Sequence, residues 1–318
     1  KWITGVTYFL FGQNLVGAFL IFGLVAVIGS YFWYRALVDA VPFVNRRLFF
    51  ICLMFAPSIV FWPSSLGKEA LMQLGVGAVA WATSLAYQGK FLRALPLMAG
   101  GWLLFTVRPH LLALVTLAAA VPYFFGRIGG LKAGSILKRP IGMVAVGVLV
   151  IFTVTAGAKF LGIQNLSVES LQDELDEETA RTSKGGSSFS HGSNSLSPIS
   201  VPNGVVTVLF RPFPWESRSG LQLLASLESA AVIGLIVFRF DSIRLAFKRC
   251  RRYPFILYCM ILLLLYSMTF SAFANFGLLN RQRSLVLPAL YALIALEPAL
   301  ARDDDRLDHV QQPDSVDG

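Results

Sequence analysis

The chain has 318 residues, of which 55% are hydrophobic and only 14% charged. Its mean hydropathy is +0.64, and soluble domains carry about 25% charged residues, so the composition excludes a water-soluble globule. The formal net charge of +9 does not signal nucleic acid, because no basic stretch is interleaved with stacking aromatics in a soluble domain.

The first residue is Lys1, and the chain enters an apolar run without a charged n-region or cleavage site; this reads as a chain lacking its N-terminal part. A spanning helix needs about 20 largely apolar residues. Long apolar runs occupy 14–34, 70–87, 140–160, 221–238, 254–273 and 284–300, and shorter ones 48–62, 94–107 and 111–125. Lipid offers backbone groups no outside partner, so such runs are helices. The expected fold is therefore all-α: a polytopic transmembrane helical bundle of about nine segments with one long external loop. Residues 1–160 hold the first six segments, 161–220 form the external loop, 221–301 hold the last three, and 302–318 make an acidic tail.

Charge orients these segments, because cytoplasmic loops are enriched in Lys and Arg. The connections 35–47 and 88–93 each have a net charge of +2, 126–139 has +4, and 239–253 has six basic residues against Asp241. All four fall on one side of a nine-segment bundle. The loop 161–203, with six acids against Arg181 and Lys184, falls on the other. The start of the chain is then external and the C-terminus cytoplasmic. Within the external loop, Val168, Leu171 and Leu175 have helical spacing. Residues 182–203 are rich in Ser and Gly and read as flexible, and the Asp-rich tail from Arg302 reads as disordered.

Four motifs carry charge on the external side. These are Lys68 and Glu69 in FWPSSLGKEA, Arg108 and His110 in VRPH, Arg211, Glu216 and Arg218 in LFRPFPWESR, and Arg281 and Arg283 in NFGLLNRQRS. As interfacial anchors, their arginines would snorkel to headgroups beside Trp62, Phe213 and Trp215. Charge near membrane depth otherwise needs a cavity or a partner, and basic residues on this side run against the loop-charge rule. An anion site meets both conditions. Arg108, Arg211, Arg218, Arg281, Arg283 and Lys68 would bind phosphate oxygens, and Glu216, His110 or Glu69 would take a proton from an acceptor hydroxyl. Glu228, inside the run 221–238, is either functional or held in a helix–helix hydrogen bond. Gly75, Gly77, Gly100, Gly101, Gly142 and Gly147 suggest close helix packing. Cys52, Cys250 and Cys259 lack metal or redox spacing and read as packing residues. The sequence has no P-loop, dinucleotide fingerprint or metal motif. No cofactor is expected, and Glu69 or Glu216 is where a divalent ion would bridge to a diphosphate.

The ordered motifs FAPSIVFWPSSLGKEAL, VRPHL, LFRPFPWE and NFGLLNRQRSLVLP, from Phe55 to Pro288, resemble those of polytopic bacterial, especially actinobacterial, membrane proteins. These look like envelope-glycan assembly proteins: GT-C-type glycosyltransferases and O-antigen polymerase-like enzymes. The resemblance implies glycosyl transfer or polymerisation from a polyprenyl-linked sugar at the external face of the bacterial plasma membrane. The partners would be membrane lipid, the polyprenyl-linked glycan and other envelope-assembly proteins, without nucleic acid. GT-C enzymes carry an essential acid in the first external loop, whereas residues 1–34 contain no Asp or Glu; the external arginines suit the polymerase-like group. A transporter or flippase of a lipid-linked or anionic solute and a non-catalytic scaffold are the competing classes.

Overall fold

A computed structural model describes residues 14–125, 138–161 and 201–302 apart from 272 and 274, with Gly5, Tyr8 and Phe9. Twelve of its helices and one short helical turn position the site. They are α1 (Leu15–Ala40), α2 (Arg46–Phe55), α3 (Pro57–Ser64), α4 (Glu69–Tyr87), the turn α5 (Phe91–Ala94) and α6 (Met98–Val107). There follow α7 (Pro109–Phe125), α8 (Lys138–Leu161), α9 (Val201–Phe210), α10 (Gly220–Phe238), α11 (Phe240–Arg249), α12 (Pro254–Phe270) and α13 (Phe276–Ile294). The described residues contain no β-strand; Val44 and Leu296 form an isolated bridge.

The helix ends follow from local chemistry. Side-chain oxygens of Asn14, Asn45, Ser219 and Asn275 accept first-turn N–H groups and start α1, α2, α10 and α13. Pro57 cannot continue α2 and begins α3 after a bend of 42°. Gly89, at φ 74°, turns the chain out of α4.

Three helices, α1, α4 and α10, are each long and apolar enough to cross a membrane; counting the bent pairs α2–α3 and α11–α12 as single spans gives up to five. Large apolar side chains lie on the outside, among them Leu20, Leu24, Trp102, Val237 and Phe238, an apolar surface of the kind that a membrane or a partner covers. α11 is different. It is basic, buries Ser242 and Ala246, exposes Phe240 and Phe247, and meets α12 at 111°.

The segment 161–220, expected as one external loop, contains α9, which buries Gly204, Thr207, Val208 and Leu209. A Cβ on Gly204 would lie 3.3 Å from Ser271 Cβ just beyond α12, so this ten-residue helix is packed into the bundle. The expected helix around Val168 to Leu175, the Ser/Gly-rich stretch up to 200, His191 and the tail from 303 lie outside the described residues.

Most of α13 is buried, and both its ends are fixed. At the C-terminal end, the N–H of Asn45 donates to Ala295 O (2.8 Å) and that of Glu297 to Phe43 O (2.9 Å). Arg239 donates to Leu296 O at 2.7 Å and pairs with Glu297 at 3.1 Å, while Ser242 Oγ donates to Leu296 O at 2.6 Å. The connections 35–47 and 239–253 thereby meet at one end of the bundle.

Close backbone crossings hold α4 in the centre. A Cβ on Gly77 would overlap the carbonyl oxygen of Gly29, and one on Gly100 would lie 2.5 Å from Ala78 Cβ. Gly147 has nothing within 4 Å and does not share this role. Gly77→Ala therefore overpacks the α1–α4 crossing and is expected to cost about 1–3 kcal/mol. Thermal unfolding of the purified protein should show a lowered Tm for Gly77→Ala and none of that loss for Gly147→Ala.

Candidate functional site

Three consecutive residues of α13 point in three directions, because successive helical side chains diverge by about 100°. Arg281 is exposed, and its guanidinium carbon lies 5.0 Å from the Trp62 ring centroid. Gln282 accepts from Arg108 Nη1 at 2.8 Å and from Tyr266 Oη at 3.2 Å. Arg283 turns into the core and is 1% exposed. One turn of helix thus brings α3, the α6–α7 junction, α10 and α12 together.

Arg108 sits at the C-cap of α6, where Pro109 starts the next helix. Its other amino group lies 3.9 Å from Glu69, the first residue of α4. A carboxylate there is favoured by the helix dipole. Glu69 is buried, and the contact is too long for a direct hydrogen bond. His110 packs near Phe270, with ring centroids 6.5 Å apart, and its backbone is 3.1 Å from where a Cβ on Gly157 would sit.

Arg211 and Glu216 belong to a compact rim loop. The Arg211–Pro212 peptide is cis. Arg211 grips Glu216 through Nε at 2.9 and 3.1 Å and through Nη2, while the Phe213 N–H donates to the same carboxylate at 2.9 Å. The Arg211 guanidinium also stands over Phe276, 5.5 Å from the ring centroid. Phe213 stacks on Trp215 at 4.9 Å, which leaves Trp215 80% exposed. Burial pushes the Glu216 carboxyl up, but the hydrogen bonds from Arg211 and Phe213 and the Arg211 charge outweigh it and hold it below the ordinary value of 4.5. Glu216 therefore brackets the loop at neutral pH.

Arg283 forms a separate buried cluster. It donates to Ser229 Oγ at 2.6 Å and Leu209 O at 3.2 Å, and lies 3.5 Å from Glu228. The Ser58 N–H donates to Glu228 at 3.1 Å, and the Ser58 hydroxyl donates to it as well. The break at Pro57 exposes that N–H as a first-turn donor of α3. Glu228 thus holds a buried ion pair, and Arg283 is enclosed away from any ligand surface.

The sequence-derived candidates therefore divide. Glu69, Arg108 and His110 lie around the α6–α7 junction, Arg211 and Glu216 pair with each other, and Arg281 lies on Trp62. Lys68 and Arg218 are exposed, the latter with its backbone N–H on Gln222 at 2.6 Å. Gln282 is an uncharged member of NFGLLNRQRS, and Ser58, Ser229 and Tyr266 belong to no charged motif of the sequence. Their only signal is position: polar residues among apolar neighbours in helices that must bury them. Among the described residues, no group of three or more His, Cys, Asp or Glu is arranged to hold a metal.

Removing one partner of the buried pair leaves a charge uncompensated. Glu228→Ala is expected to cost about 3–5 kcal/mol, and Glu228→Met with Arg283→Leu much less. Denaturant unfolding of both variants measures this. The depressed carboxyl of Glu216 stabilises the fold above its ordinary value, and that contribution is lost as pH falls through its lower folded value. The Tm gap between the wild type and Glu216→Gln should thus be constant at neutral pH and close below pH 4.5. Comparison with known families, with curated proteins and with solved structures finds no match.

Proposed function

We propose that the chain is a multi-pass protein of the bacterial plasma membrane that transfers or polymerises sugars from a polyprenyl-diphosphate carrier at its external face. Nine crossings result if α1, α2–α3, α4, α5–α6, α7, α8, α10, α12 and α13 each cross once. The basic connections 35–47, 88–93, 126–139 and 239–253 are then cytoplasmic, as is the C-terminus.

The observation that carries the functional reading is the gathering of Arg108, Arg211 and Arg281 around the first turns of α13, at the end opposite those connections. Guanidinium groups suit a diphosphate because they stay charged and offer forked donors. Held in place before the reaction, they would stabilise the charge that builds on the leaving diphosphate as the glycosidic bond breaks.

The acceptor hydroxyl must also lose a proton. Glu216 is bracketed by Arg211, so its role here is to hold Arg211 in position. Glu69 has only the long contact to Arg108 and becomes the first candidate base, with His110 the second. Arg283 and Glu228 support the site from behind.

Each phosphate contact from a charged donor contributes about 1.5–3 kcal/mol. Arg108→Ala and Arg281→Ala should therefore each lower product formation ten- to a hundredfold in membranes supplied with the lipid-linked sugar. Membrane insertion should be unchanged. Unaltered glycan levels in both variants would overturn the reading.

A further inference from the structure

A cavity of about 870 Å3 lies between α4, the α5–α6 segment, α7 and α8, and none of Arg108, Arg211 and Arg281 lines it. Its wall is almost wholly apolar and includes Ala86, Trp102, Phe105, Ala119 and Phe152. Three of the five hydroxyls in its wall are turned onto the backbone, leaving those of Thr83 and Tyr123. Tyr87 Oη donates to Ala119 O (2.6 Å), Thr116 Oγ1 to Leu112 O (2.7 Å) and Thr153 Oγ1 to Leu149 O (2.9 Å). The wall thus has little to offer a sugar, nucleotide or peptide backbone and suits hydrocarbon. Its rim is open, with Phe91, Leu95 and Trp102 exposed.

Depth and charge identify the occupant. At one end the cavity is lined by the stacked rings of Phe105 and Phe152, 5.7 Å apart. From Leu112 to Tyr123, lining residues of α7 cover about 16 Å at 1.5 Å per residue. That is about half of the ~30 Å hydrocarbon core, so the cavity is one leaflet deep and too shallow for a spanning partner helix. Its other end, at Tyr87, Phe91 and Tyr123, includes the connection 88–93, with a net charge of +2. Exposed Lys90 and Arg93 directly precede the lining residues Phe91 and Ala94.

We infer that this cavity holds an acyl chain of an anionic phospholipid of the cytoplasmic leaflet, with its headgroup phosphate at Lys90 and Arg93. The inference rests on the membrane orientation proposed above and is independent of glycosyl transfer.

The test uses the purified full chain in detergent, delipidated and then titrated with phosphatidylglycerol or phosphatidylcholine of identical acyl chains. Retained lipid is read by native mass spectrometry. One phosphatidylglycerol per chain should be held about twenty-fivefold more tightly than phosphatidylcholine, since Lys90 and Arg93 each contribute about fivefold. Lys90→Gln and Arg93→Gln should each weaken phosphatidylglycerol about fivefold and leave phosphatidylcholine unchanged; both lie on the exposed surface, so this arm does not depend on repacking. Ala86→Phe and Ala119→Phe should fill the cavity and lower retention of both lipids at least tenfold. Arg281→Ala, which tests the proposed transfer, should leave retention unaltered. Equal retention of the two lipids, or wild-type retention in both filled variants, would overturn the inference. So would a co-purifying partner helix that occupies the cavity and is displaced by Ala119→Phe.

Discussion

A guanidinium enclosed in an apolar helical bundle cannot lose its proton and has no water to turn to, so its partners must be built around it. Arg283 imposes that requirement here. Glu228 compensates its charge, Ser229 and the Leu209 carbonyl accept hydrogen bonds from it, and Ser58 satisfies the carboxylate from the other side. Four separate helices are committed to one charge. The position of α13 follows from that commitment, and so do the positions of Arg281 and Gln282, which precede Arg283 on the same turn.

The rim arginines are therefore not independent surface features. Arg108 is oriented through Gln282, and Gln282 receives a second hydrogen bond from Tyr266. Arg211 is held by Glu216 and faces Phe276 at the start of α13. The frame itself thus sets the geometry of these arginines, a condition that the proposed stabilisation of a leaving diphosphate would require.

The all-helical architecture was legible in the sequence because apolar length is a direct physical requirement of a bilayer. The gathering of the VRPH, LFRPFPWESR and NFGLLNRQRS motifs could be anticipated because loop charge assigns them to one side. Partnerships were not legible. Arg211 and Glu216 are five residues apart across two prolines, a spacing with no regular helical or strand geometry, so their ion pair gave no periodic signal. Arg283 looks in sequence like Arg281, yet two positions on a helix turn one side chain to the surface and the other inward. The ten residues of α9 are too few to register as a span, so in sequence they look like part of a loop.

The cluster around Arg283 also orders events in time. Ser58 and Glu228 are 170 residues apart, and Ser58 and Arg283 are 225 apart. In a chain synthesised from its N-terminus, Glu228 enters before its cation exists. The acid must wait while three more helices are made, and the bundle locks only when α13 arrives. α13 is thus the keystone, and a chain stopped before residue 283 would retain its preceding hydrophobic segments but never close.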